Sequence, residues 1–346
     1  EREVSTMLRV AIIGLGTIAY IHQLGIEQSG LGKLVAICDT NPKKQADYPD
    51  LPFYVDFEEM LAKEKLDVVH LCLPHDLHVP IAEKCIEHGV HVFLEKPVSL
   101  TYQEGEQLKR TVENSDFKLG VCFQNRYNRT TQALLDILET RSAKEIGKIK
   151  ALKGVVTWFR PETYYEAEPW RGELKRAGGG TIINQSIHTL DLMQLFAGRS
   201  VLSCKGGLMN LLDYNIEVED TATANYEFED GVTGLYFATN AYAVNSTVEL
   251  EVITEKRRFS INDNKLVEYN FNNEEGILIA EDEMFESTKS YYGLGHKVAI
   301  QSFYQAVIDD SDDYITIDDA LNSMLMVDML KLSSEEKRKT YAKEFM

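Results

Sequence analysis

Residues 92–97 read VFLEKP and place two opposite charges at the end of an apolar run. The run Val92–Leu94 suits a buried strand, yet Glu95, Lys96 and Pro97 follow it at once. A lysine ammonium in such a position can hold an alcohol oxygen and stabilise a transition state that resembles an alkoxide. A surface ion pair at a strand end is the alternative interpretation.

A second polar group stands in the stretch GGGTIINQSIHTLDL at residues 178–192. His188 lies in a predicted helix, and Asn184 and Asp191 are four and three residues away, so the three side chains are expected to share one face. A histidine whose pKa is near neutral can accept the proton that an alcohol loses on oxidation. A lone histidine is more often a satisfied core residue, but within this motif we interpret His188 as catalytic, with Asn184 beside it.

A glycine pattern near the start of the chain predicts a dinucleotide site. The stretch IIGLGTIAY contains Gly14-x-Gly16-x-x-Ala19 between a predicted strand and a predicted helix. Gly14 allows a tight turn, Gly16 lets backbone amides approach a pyrophosphate, and Ala19 lets the helix pack closely on the strand. We assign Gly14, Gly16, Thr17 and Ile18 to cofactor binding. A glycine turn without a ligand is the alternative.

Asp39 ends the next predicted strand, about twenty residues beyond the glycines. A carboxylate there can accept hydrogen bonds from both ribose hydroxyls and repels a 2′-phosphate, which favours NAD over NADP. Lys43 and Lys44 weaken this preference, because a flexible ammonium can reach a phosphate. Alternatively, Asp39 caps the turn at residues 40–42.

The end of the third predicted strand adds further cofactor candidates. Leu73 and Pro74 stand at the sheet edge where a dinucleotide lies, and His78 follows in the stretch LPHDLH. His75 and His78 have the spacing of a metal pair, but the same stretch supplies no third ligand. We therefore interpret both histidines as polar residues at a helix start and predict no metal site.

The first third of the chain alternates apolar runs with amphipathic stretches, and this alternation predicts a parallel, doubly wound α/β sheet. The predicted strands are 9–14, 34–39, 67–73, 90–94 and 118–123, and the predicted helices are 17–28, 78–87 and 102–113.

The pattern then changes to clustered strands, which predicts a mainly antiparallel sheet in a second α/β domain. Residues 148–159 and 203–271 read as strands, with Asp230-Gly231 as a hairpin turn, and the predicted helices are 131–138, 183–195, 295–308 and 318–332. The length of 346 residues also favours two domains. We divide the chain into domains 7–125 and 126–346 and allow that the last helices pack back on the first domain.

The composition limits the partners of the chain. A net charge of −19 disfavours binding to nucleic acid or to an anionic membrane. No apolar run is long enough to span a bilayer, and no signal-peptide pattern opens the chain. The five cysteines form no CxxC pair and lie in apolar surroundings, which favours core thiols in a reducing cytoplasm. Residues 1–6 are set aside as a tag remnant or a frayed start.

With these motifs in place, the chain resembles the Gfo/Idh/MocA family of oxidoreductases, named for glucose–fructose oxidoreductase and inositol dehydrogenase. The resemblance extends from Met7 to the C-terminus, and its marks are GLGTIA at 14–19, LPHDLH at 73–78, LEKP at 94–97, PWR at 169–171 and GGGTIINQSIHTLDL at 178–192. It implies a Rossmann domain followed by an α/β domain on a large, open, mainly antiparallel sheet. It also implies reversible oxidation of a secondary alcohol on a sugar, cyclitol or nucleotide sugar, and a homodimer or homotetramer formed through the open sheet.

The resemblance assigns roles to the residues that follow Leu94. It implies that Lys96 lies beside the nicotinamide and the reacting hydroxyl, that Glu95 lies close to the cofactor, and that Pro97 fixes the turn, often through a cis peptide bond. Many family members carry an aspartate where this chain has Asn184. An amide cannot stabilise a histidine cation by charge. The resemblance therefore leaves open whether Lys96 or His188 takes the proton.

Several aromatic and cationic residues are expected on the substrate side. Trp170 and Arg171 precede the triple glycine, on a loop expected to face the cleft. Tyr164 and Tyr165 are candidates for contact with a sugar ring, and aromatic core packing is an equal alternative for them. We assign Tyr164, Trp170 and Arg171, together with Lys96, Asn184 and His188, to substrate binding.

Asn125 and Arg126 follow the last predicted strand of the first domain and are expected near the cofactor or the substrate. The sequence as a whole predicts an NAD-dependent dehydrogenase that acts on a polyhydroxylated ring. Two alternatives exist on the same fold: a non-catalytic regulator that senses NAD(P), and a glycosidase that uses tightly held NAD transiently. The presence of both Lys96 and His188 argues against the regulator.

Overall fold

The computed structural model describes residues 7–271, 273–283 and 295–346, so the interpretation of residues 1–6 falls outside it. The described residues form two compact units. The first unit comprises 7–99, 103–124 and 295–321, and the second comprises 100–102, 125–271, 273–283 and 322–346. The division of the chain into independent domains 7–125 and 126–346 stays a prediction.

Strands and helices are numbered here in chain order. The strands among the described residues are β1 (Leu8–Ile13), β2 (Gly32–Cys38), β3 (Phe53–Tyr54), β4 (Val68–Leu71), β5 (His91–Leu94), β6 (Leu119–Val121), β7 (Ile149–Thr157), β8 (Val201–Met209), β9 (Thr221–Phe228), β10 (Thr233–Thr239), β11 (Glu249–Thr254), β12 (Arg257–Asn262), β13 (Lys265–Asn270), β14 (Asn273–Glu281) and β15 (Thr340–Tyr341). The α-helices are α1 (Ala19–Ser29), α2 (Phe57–Lys63), α3 (His78–Glu87), α4 (Tyr102–Glu113), α5 (Arg129–Thr140), α6 (Glu162–Ala167), α7 (Leu174–Ala177), α8 (Thr181–Asn184), α9 (Ile187–Ala197), α10 (Gly295–Asp309) and α11 (Ile317–Glu336).

The first unit contains a six-stranded parallel sheet in the order β3-β2-β1-β4-β5-β6. The strands β1, β4 and β5 are buried on both faces over nearly their whole length, which explains why their sequences are continuous apolar runs. The strand order reverses between β1 and β4, and doubly wound sheets bind ligands outside the carboxyl ends of the strands at such a point. The predicted parallel, doubly wound sheet is confirmed.

The second unit contains a nine-stranded sheet in the order β14-β13-β12-β11-β7-β10-β9-β8-β15. The pair β7 and β10 is parallel, and the other neighbouring pairs are antiparallel. Helix α9 packs on β7: a Cβ on Gly154 would lie 2.6 Å from both the Met193 sulphur and a Thr189 methyl carbon. Glycine at this point therefore lets the helix approach the sheet. The predicted α/β domain on a mainly antiparallel sheet is confirmed.

The prediction of one helix over residues 183–195 is wrong, because α8 and α9 are separate helices. The break falls at Gln185 and Ser186. The Ser186 hydroxyl donates to the Thr181 carbonyl at 2.6 Å and lies 2.5 Å from the Tyr236 hydroxyl on β10. These contacts turn the chain between the helices. As a consequence, the expected single helix face shared by residues 184, 188 and 191 does not exist.

Local signals succeed where the sheet strands are short and bounded by turns. Asp230 and Gly231 adopt positive φ values of 58° and 73° between β9 and β10, as expected for the predicted hairpin turn. The strand β14 extends the sheet beyond residue 271, where the predicted strands stopped.

All five cysteines are buried free thiols. Within the described residues, no helix has the length and apolar character needed to cross a bilayer.

Candidate functional site

The glycine turn between β1 and α1 has the geometry of a phosphate cradle. Gly14 has a φ of 90°, and a Cβ there would lie 2.3 Å from the Cys72 carbonyl oxygen, so only glycine fits. A Cβ on Gly16 would point into open space. Thr17 and Ile18 lead into α1, whose N-terminus no side chain of the described residues caps. Since uncapped helix N-termini bind phosphate groups, this turn fits the pyrophosphate of NAD.

Asp39 follows β2 and holds this turn in place. Its Oδ2 accepts a hydrogen bond from the Leu15 amide at 2.8 Å, and its Oδ1 accepts one from the Asn41 amide at 2.8 Å. The Asn41 bond is the turn cap that the sequence allowed as an alternative role. Lys44 lies 3.8 Å from Oδ2 and also donates to the Leu15 carbonyl. Each carboxylate oxygen keeps a second lone pair for a ribose hydroxyl, but the nearby ammonium reduces its repulsion of a phosphate.

A buried histidine braces the end of β4. His78 places Nδ1 at 2.6 Å from the Pro97 carbonyl oxygen and Nε2 at 3.0 Å from the Leu73 carbonyl oxygen. Burial lowers the pKa of His78, and the two carbonyl oxygens act in the opposite direction. The ring thus links the half-buried segment of Leu73 and Pro74 to the turn after β5. Direct contact of these residues with a cofactor stays a prediction.

The two charges at the end of β5 have different surroundings. Glu95 is buried, with Oε1 at 2.8 Å from Nε2 of His22 on α1. Its Oε2 accepts a hydrogen bond from the Lys96 amide at 3.2 Å. The Lys96 side chain is half-buried, and the Lys96–Pro97 bond is cis, as the resemblance implied. The alternative of a surface ion pair is excluded for Glu95, because its carboxylate faces His22 in the interior.

His22 is the first member of a chain of buried polar rings. Its Nδ1 lies 2.8 Å from Nδ1 of His70 on β4, and Nε2 of His70 lies 2.7 Å from the Tyr304 hydroxyl on α10. A cationic His22 can donate to both Glu95 and His70. The neutral His70 that accepts from it then donates to Tyr304. This protonation pattern satisfies both ring nitrogens of His22 and both of His70.

The pKa shifts agree with this pattern. Burial acts against a charged His22, but Cys72, Cys122 and Glu95 around the ring raise the pKa of His22 well above its usual value. Burial also acts against a charged Glu95, but the hydrogen bond and the charge of His22 hold the pKa of Glu95 well below its usual range. Burial, followed by the charge of His22, lowers the pKa of His70. The directions of these shifts favour a buried ion pair between His22 and Glu95.

Ligand atoms of His22, Glu95 and Cys122 lie within 4.8 Å of one another, a spacing that also allows a metal ion. Ligands on a tetrahedral Zn²⁺, with bonds of about 2.0–2.3 Å, lie roughly 3.3 Å apart or more. The 2.8 Å between His22 and Glu95 is shorter than this. Burial also raises the pKa of Cys122 to about 12, which disfavours the thiolate that a metal requires. The geometry fits a hydrogen-bonded ion pair better than a metal site.

The second unit carries the other predicted catalytic residues. Asn184 ends α8, His188 lies in the first turn of α9, and both side chains are half-buried. The side-chain amides of Asn184 and Gln185 both donate to the Tyr164 hydroxyl at 3.1 Å. Tyr164 therefore joins α6 to the break between the two helices. Two predicted substrate residues, Asn184 and Tyr164, are in direct contact.

A buried carboxylate holds the triple glycine that precedes α8. Glu219 accepts hydrogen bonds from the Gly180 amide through both oxygens at 2.9 Å and from the Ile182 amide at 3.0 Å. A Cβ on Gly180 would lie 1.8 Å from the Glu219 carbonyl oxygen, so this close approach requires glycine. Burial raises the pKa of Glu219 although the amides favour its anion. The carboxylate thereby fixes the start of the short helix that ends at Asn184.

A bidentate ion pair holds α9. Arg126 donates from Nε and Nη2 to the two oxygens of Asp191 at 2.9 and 2.7 Å, and both side chains are buried. Arg126 was expected near the cofactor or the substrate, and the structure gives it this contact with the helix that carries His188. Asn125 is half-buried beside it in the chain. A contact between Asn125 and the cofactor stays a prediction.

The remaining predicted substrate residues lie near Tyr164. The guanidinium carbon of Arg171 is 4.3 Å from the ring centre of Tyr164 and 5.9 Å from that of Trp170. Tyr165, by contrast, is buried in an apolar cluster, so the core-packing alternative applies to it. Tyr164 and Trp170 are half-buried and remain accessible to a ligand.

Sequence reasoning missed the residues that hold these groups in place. One signal was available in α1, because His22 interrupts an apolar face, and a buried polar residue on such a face requires a partner. The adjacent carboxylates Glu219 and Asp220 before a strand are a similar signal, and both accept hydrogen bonds from backbone amides. No local signal marks His70 or Tyr304 as partners of His22.

Two family models match the chain and together cover most of it. The model of an oxidoreductase family with an NAD-binding Rossmann fold matches residues 8–123. The model of the GFO/IDH/MocA C-terminal domain matches residues 135–260.

Individual proteins are similar over different lengths. The myo-inositol 2-dehydrogenase of Thermotoga maritima is 22% identical over 351 residues, covering 97% of this chain and 99% of that protein. The 1-carboxy-3-chloro-3,4-dihydroxycyclohexa-1,5-diene dehydrogenase of Comamonas testosteroni is 24% identical, covering 65% of this chain and 56% of that protein. The WlbA dehydrogenase of Bordetella pertussis, solved in complex with NADH and UDP-GlcNAcA, has a TM-score of 0.84 at 25% identity and covers 97% of this chain and 99% of that one. All three relatives are dehydrogenases.

We expect the substitution His22→Asn to destabilise the chain and to flatten its pH dependence above about pH 6.5. Because its pKa is raised, His22 contributes stability that is full below its unfolded pKa and is lost as the pH rises through the folded pKa. Glu95, whose pKa is lowered, contributes stability above an unfolded pKa of about 4.3 that is lost as the pH falls. The variant leaves the Glu95 carboxylate buried without its cation, which costs about 3–5 kcal/mol. Urea midpoints between about pH 5 and pH 9 measure the loss of stability and the flatter pH dependence of the variant.

The matched control for this experiment is His88→Asn, which changes an exposed histidine just after α3 and should leave the wild-type pH profile intact. The titratable groups around His22 that remain in both variants are His70, Cys72, Cys122, Glu95 and His296. Equal urea midpoints for His22→Asn and the wild type at every pH would refute the buried ion pair.

Proposed function

The chain belongs to the Gfo/Idh/MocA family of NAD-binding oxidoreductases, and from this premise we propose that it oxidises a secondary hydroxyl of a sugar, a cyclitol or a nucleotide sugar. The named substrates and ligands of the relatives, an inositol and a UDP-sugar, support this class. The observation that carries the proposal is the set of charged groups at the end of β5. Glu95, His22 and Lys96 together hold one net positive charge there, which suits an oxygen that becomes negative during reaction.

NAD, when bound, supplies the acceptor for the hydride that leaves the alcohol carbon. Gly14, Gly16, Thr17 and Ile18 would hold its pyrophosphate through the turn and the N-terminus of α1, and Asp39 would accept from its ribose. Lys96 binds the alcohol oxygen and stabilises the negative charge that develops there as the proton leaves.

His188 is the favoured acceptor of that proton. Its half-buried imidazole stands in the first turn of α9, and a neutral imidazole is a suitable base near pH 7. Asn184 donates to the Tyr164 hydroxyl, and a side-chain amide is suited to bind a substrate hydroxyl as well. Because Asn184 carries no charge to stabilise an imidazolium, Lys96 is the alternative acceptor. We propose that Lys96 and His188 act on the same substrate hydroxyl.

NAD is the proposed cofactor in preference to NADP. Asp39 places a carboxylate directly after β2, where it would repel a 2′-phosphate. Lys44, at 3.8 Å from that carboxylate, offsets part of the repulsion. We therefore propose a clear but incomplete preference for NAD.

We also propose that the chain forms a homodimer or homotetramer through its second sheet. A Cβ on Gly234 would lie 3.1 Å from Met193 of α9, so the alternation along β10 places Leu235 on the opposite face. Leu235 is 51% exposed, between Asn225 on β9 and Lys153 on β7. Leu235 is an exposed apolar side chain on this face at which contact with a second copy can be tested.

Replacing Lys96 with alanine should lower kcat by about a thousandfold or more, because the developing alkoxide loses its cation, while the Kd for NAD stays nearly unchanged. His188→Asn should also lower kcat, and it should abolish the fall in rate at acidic pH if His188 is the base. NADH absorbance with a panel of polyols, aldoses and nucleotide sugars measures the rates.

The control variant is Lys84→Ala, an exposed lysine on α3 that pairs with Glu87. Retained turnover in Lys96→Ala would defeat the assignment of Lys96. If His188→Asn and the wild type have the same pH profile of kcat, Lys96 and not His188 is the base. Sugar release from an aryl glycoside without net NADH would favour the glycosidase.

The substitution Asp39→Ser should raise kcat/KM for NADP relative to NAD, because it removes the charge that repels a 2′-phosphate. Adding Lys44→Ala should reverse part of this gain, since the ammonium then no longer contacts the phosphate. Initial rates with both cofactors measure the ratio. Equal use of NAD and NADP by the wild type would contradict the role of Asp39.

The substitution Leu235→Asp should convert the oligomer into monomers, because it places a charge in the apolar contact between copies. Light scattering after size-exclusion chromatography measures the mass. Leu174→Asp on α7 is the matched control, since Leu174 is equally exposed at 51% but lies outside the sheet. A wild-type protein that is monomeric in this experiment would refute the proposed oligomer.

A further inference from the structure

Two arginines of the second unit stack on a single tyrosine. Arg160 follows β7, and its guanidinium carbon lies 5.4 Å from the ring centre of Tyr164 and 4.9 Å from that of Trp158. Arg171 approaches the same Tyr164 ring to 4.3 Å and Trp170 to 5.9 Å. Two like charges are thus held beside one ring, an arrangement that requires a compensating anion or free exposure to water.

Among the described residues, no carboxylate forms an ion pair with Arg160 or Arg171, although the chain has 55 acidic residues. Nη1 of Arg160 donates to the Phe159 carbonyl at 2.9 Å and to the Asn245 side chain at 3.0 Å. Nη1 of Arg171 donates to the Tyr164 carbonyl at 3.3 Å. A guanidinium has five N–H groups, so each arginine keeps donors for an external acceptor.

Other arginines of the same unit have the opposite environment. Arg126 binds Asp191, and both Arg141 and Arg257 bind Glu268. Each of these three arginines therefore contacts a carboxylate of the protein, although Arg141 and Arg257 share one. The missing carboxylate at Arg160 and Arg171 is therefore a local feature of this loop region and not a property of the whole unit.

The position of the arginines links them to the proposed substrate site. The Tyr164 hydroxyl accepts hydrogen bonds from Asn184 and Gln185, while its ring carries the two guanidinium groups. Arg160, Arg171 and Tyr164 are half-buried, so a ligand can reach them. A substrate held by Asn184 would have its far end beside the arginines.

We propose that Arg160 and Arg171 form an anion subsite, and that the substrate is a sugar or cyclitol that carries a carboxylate or phosphate group. The substrate assignment rests on the proposed dehydrogenase function, whereas the subsite itself does not. Guanidinium groups bind both kinds of anion through paired hydrogen bonds, and stacking on an aromatic ring orients their planar fork. A chain of net charge −19 repels anions at long range, so an anionic substrate needs local cations of this kind.

The test uses the tryptophan fluorescence of the full chain. The chain has two tryptophans, Trp158 and Trp170, and both lie beside the arginines, so their emission reports directly on this site. The probes are glucose as the neutral sugar, glucuronate as the carboxylate, glucose 6-phosphate as the phosphate monoester and UDP-glucose as the diphosphate. We expect at least one anionic probe to bind about tenfold more tightly than glucose. The probe that binds best distinguishes a carboxylate from a phosphate source.

The variants Arg160→Gln and Arg171→Gln should each raise the Kd of that probe about tenfold and leave glucose binding unchanged. Arg160→Lys and Arg171→Lys keep the charge and should keep part of the preference. The matched control is Arg258→Gln: Arg258 also stacks on a tyrosine, Tyr269 at 4.2 Å, but it has the carboxylate of Glu251 at 3.8 Å. This control should bind every probe as the wild type does.

The subsite is refuted if wild-type protein binds glucose and the three anions equally, or if the glutamine variants weaken glucose and anion binding to the same extent. If a glutamine variant fails to fold, the wild-type comparison of charged and neutral probes at low and high salt decides the question. Binding is read without turnover, so the two proposals fail separately. Arginine-dependent anion binding without any NADH formation refutes the dehydrogenase, whereas oxidation of neutral polyols at rates that both variants retain refutes the assignment of an anionic substrate.

Discussion

The first unit depends on one buried carboxylate that must be neutralised. An unpaired Glu95 in the interior would cost several kcal/mol, and His22 offsets this cost only at hydrogen-bond distance. The contact therefore fixes α1 relative to the end of β5, and His70 and Tyr304 extend the constraint to β4 and α10. Since α1 begins at the glycine turn and Glu95 precedes Lys96, the same ion pair sets the proposed pyrophosphate cradle relative to the proposed catalytic ammonium.

The second unit meets the same constraint with different chemistry. Glu219 has backbone amides of Gly180 and Ile182 as its partners, and burial raises its pKa because these dipoles compensate the charge less fully than a cation would. These hydrogen bonds also fix the position of the turn that begins α8, because the amides belong to that turn. They thereby fix the position of Asn184 at the end of the helix. In each unit, therefore, a buried carboxylate places the segment to which we assign chemistry, while the reactive side chain itself stays half-buried.

The outline of the fold could be predicted from the sequence because it depends on local patterns. The helix 78–87 and the turn at Asp230 follow from apolar periodicity and turn chemistry within a few residues. The break at Ser186 could not be predicted, because it depends on a contact with Tyr236, fifty residues away. The same holds for the site: the glycine turn has a local signature, whereas the partner of Glu95 is 73 residues distant and becomes visible only when α1 packs on the sheet.

The net charge of the protein and the two stacked arginines act on an anionic ligand in opposite directions and over different distances. The net charge of −19 repels an anionic ligand at a distance, but at physiological ionic strength charges further than about 8 Å are largely screened. Among the described residues, no carboxylate forms an ion pair with either arginine beside Tyr164. Added salt then weakens the distant repulsion and the local attraction together. A site of this kind selects an anion by direct contact and gains little from long-range steering, so its specificity depends on how the stacked guanidinium groups are held.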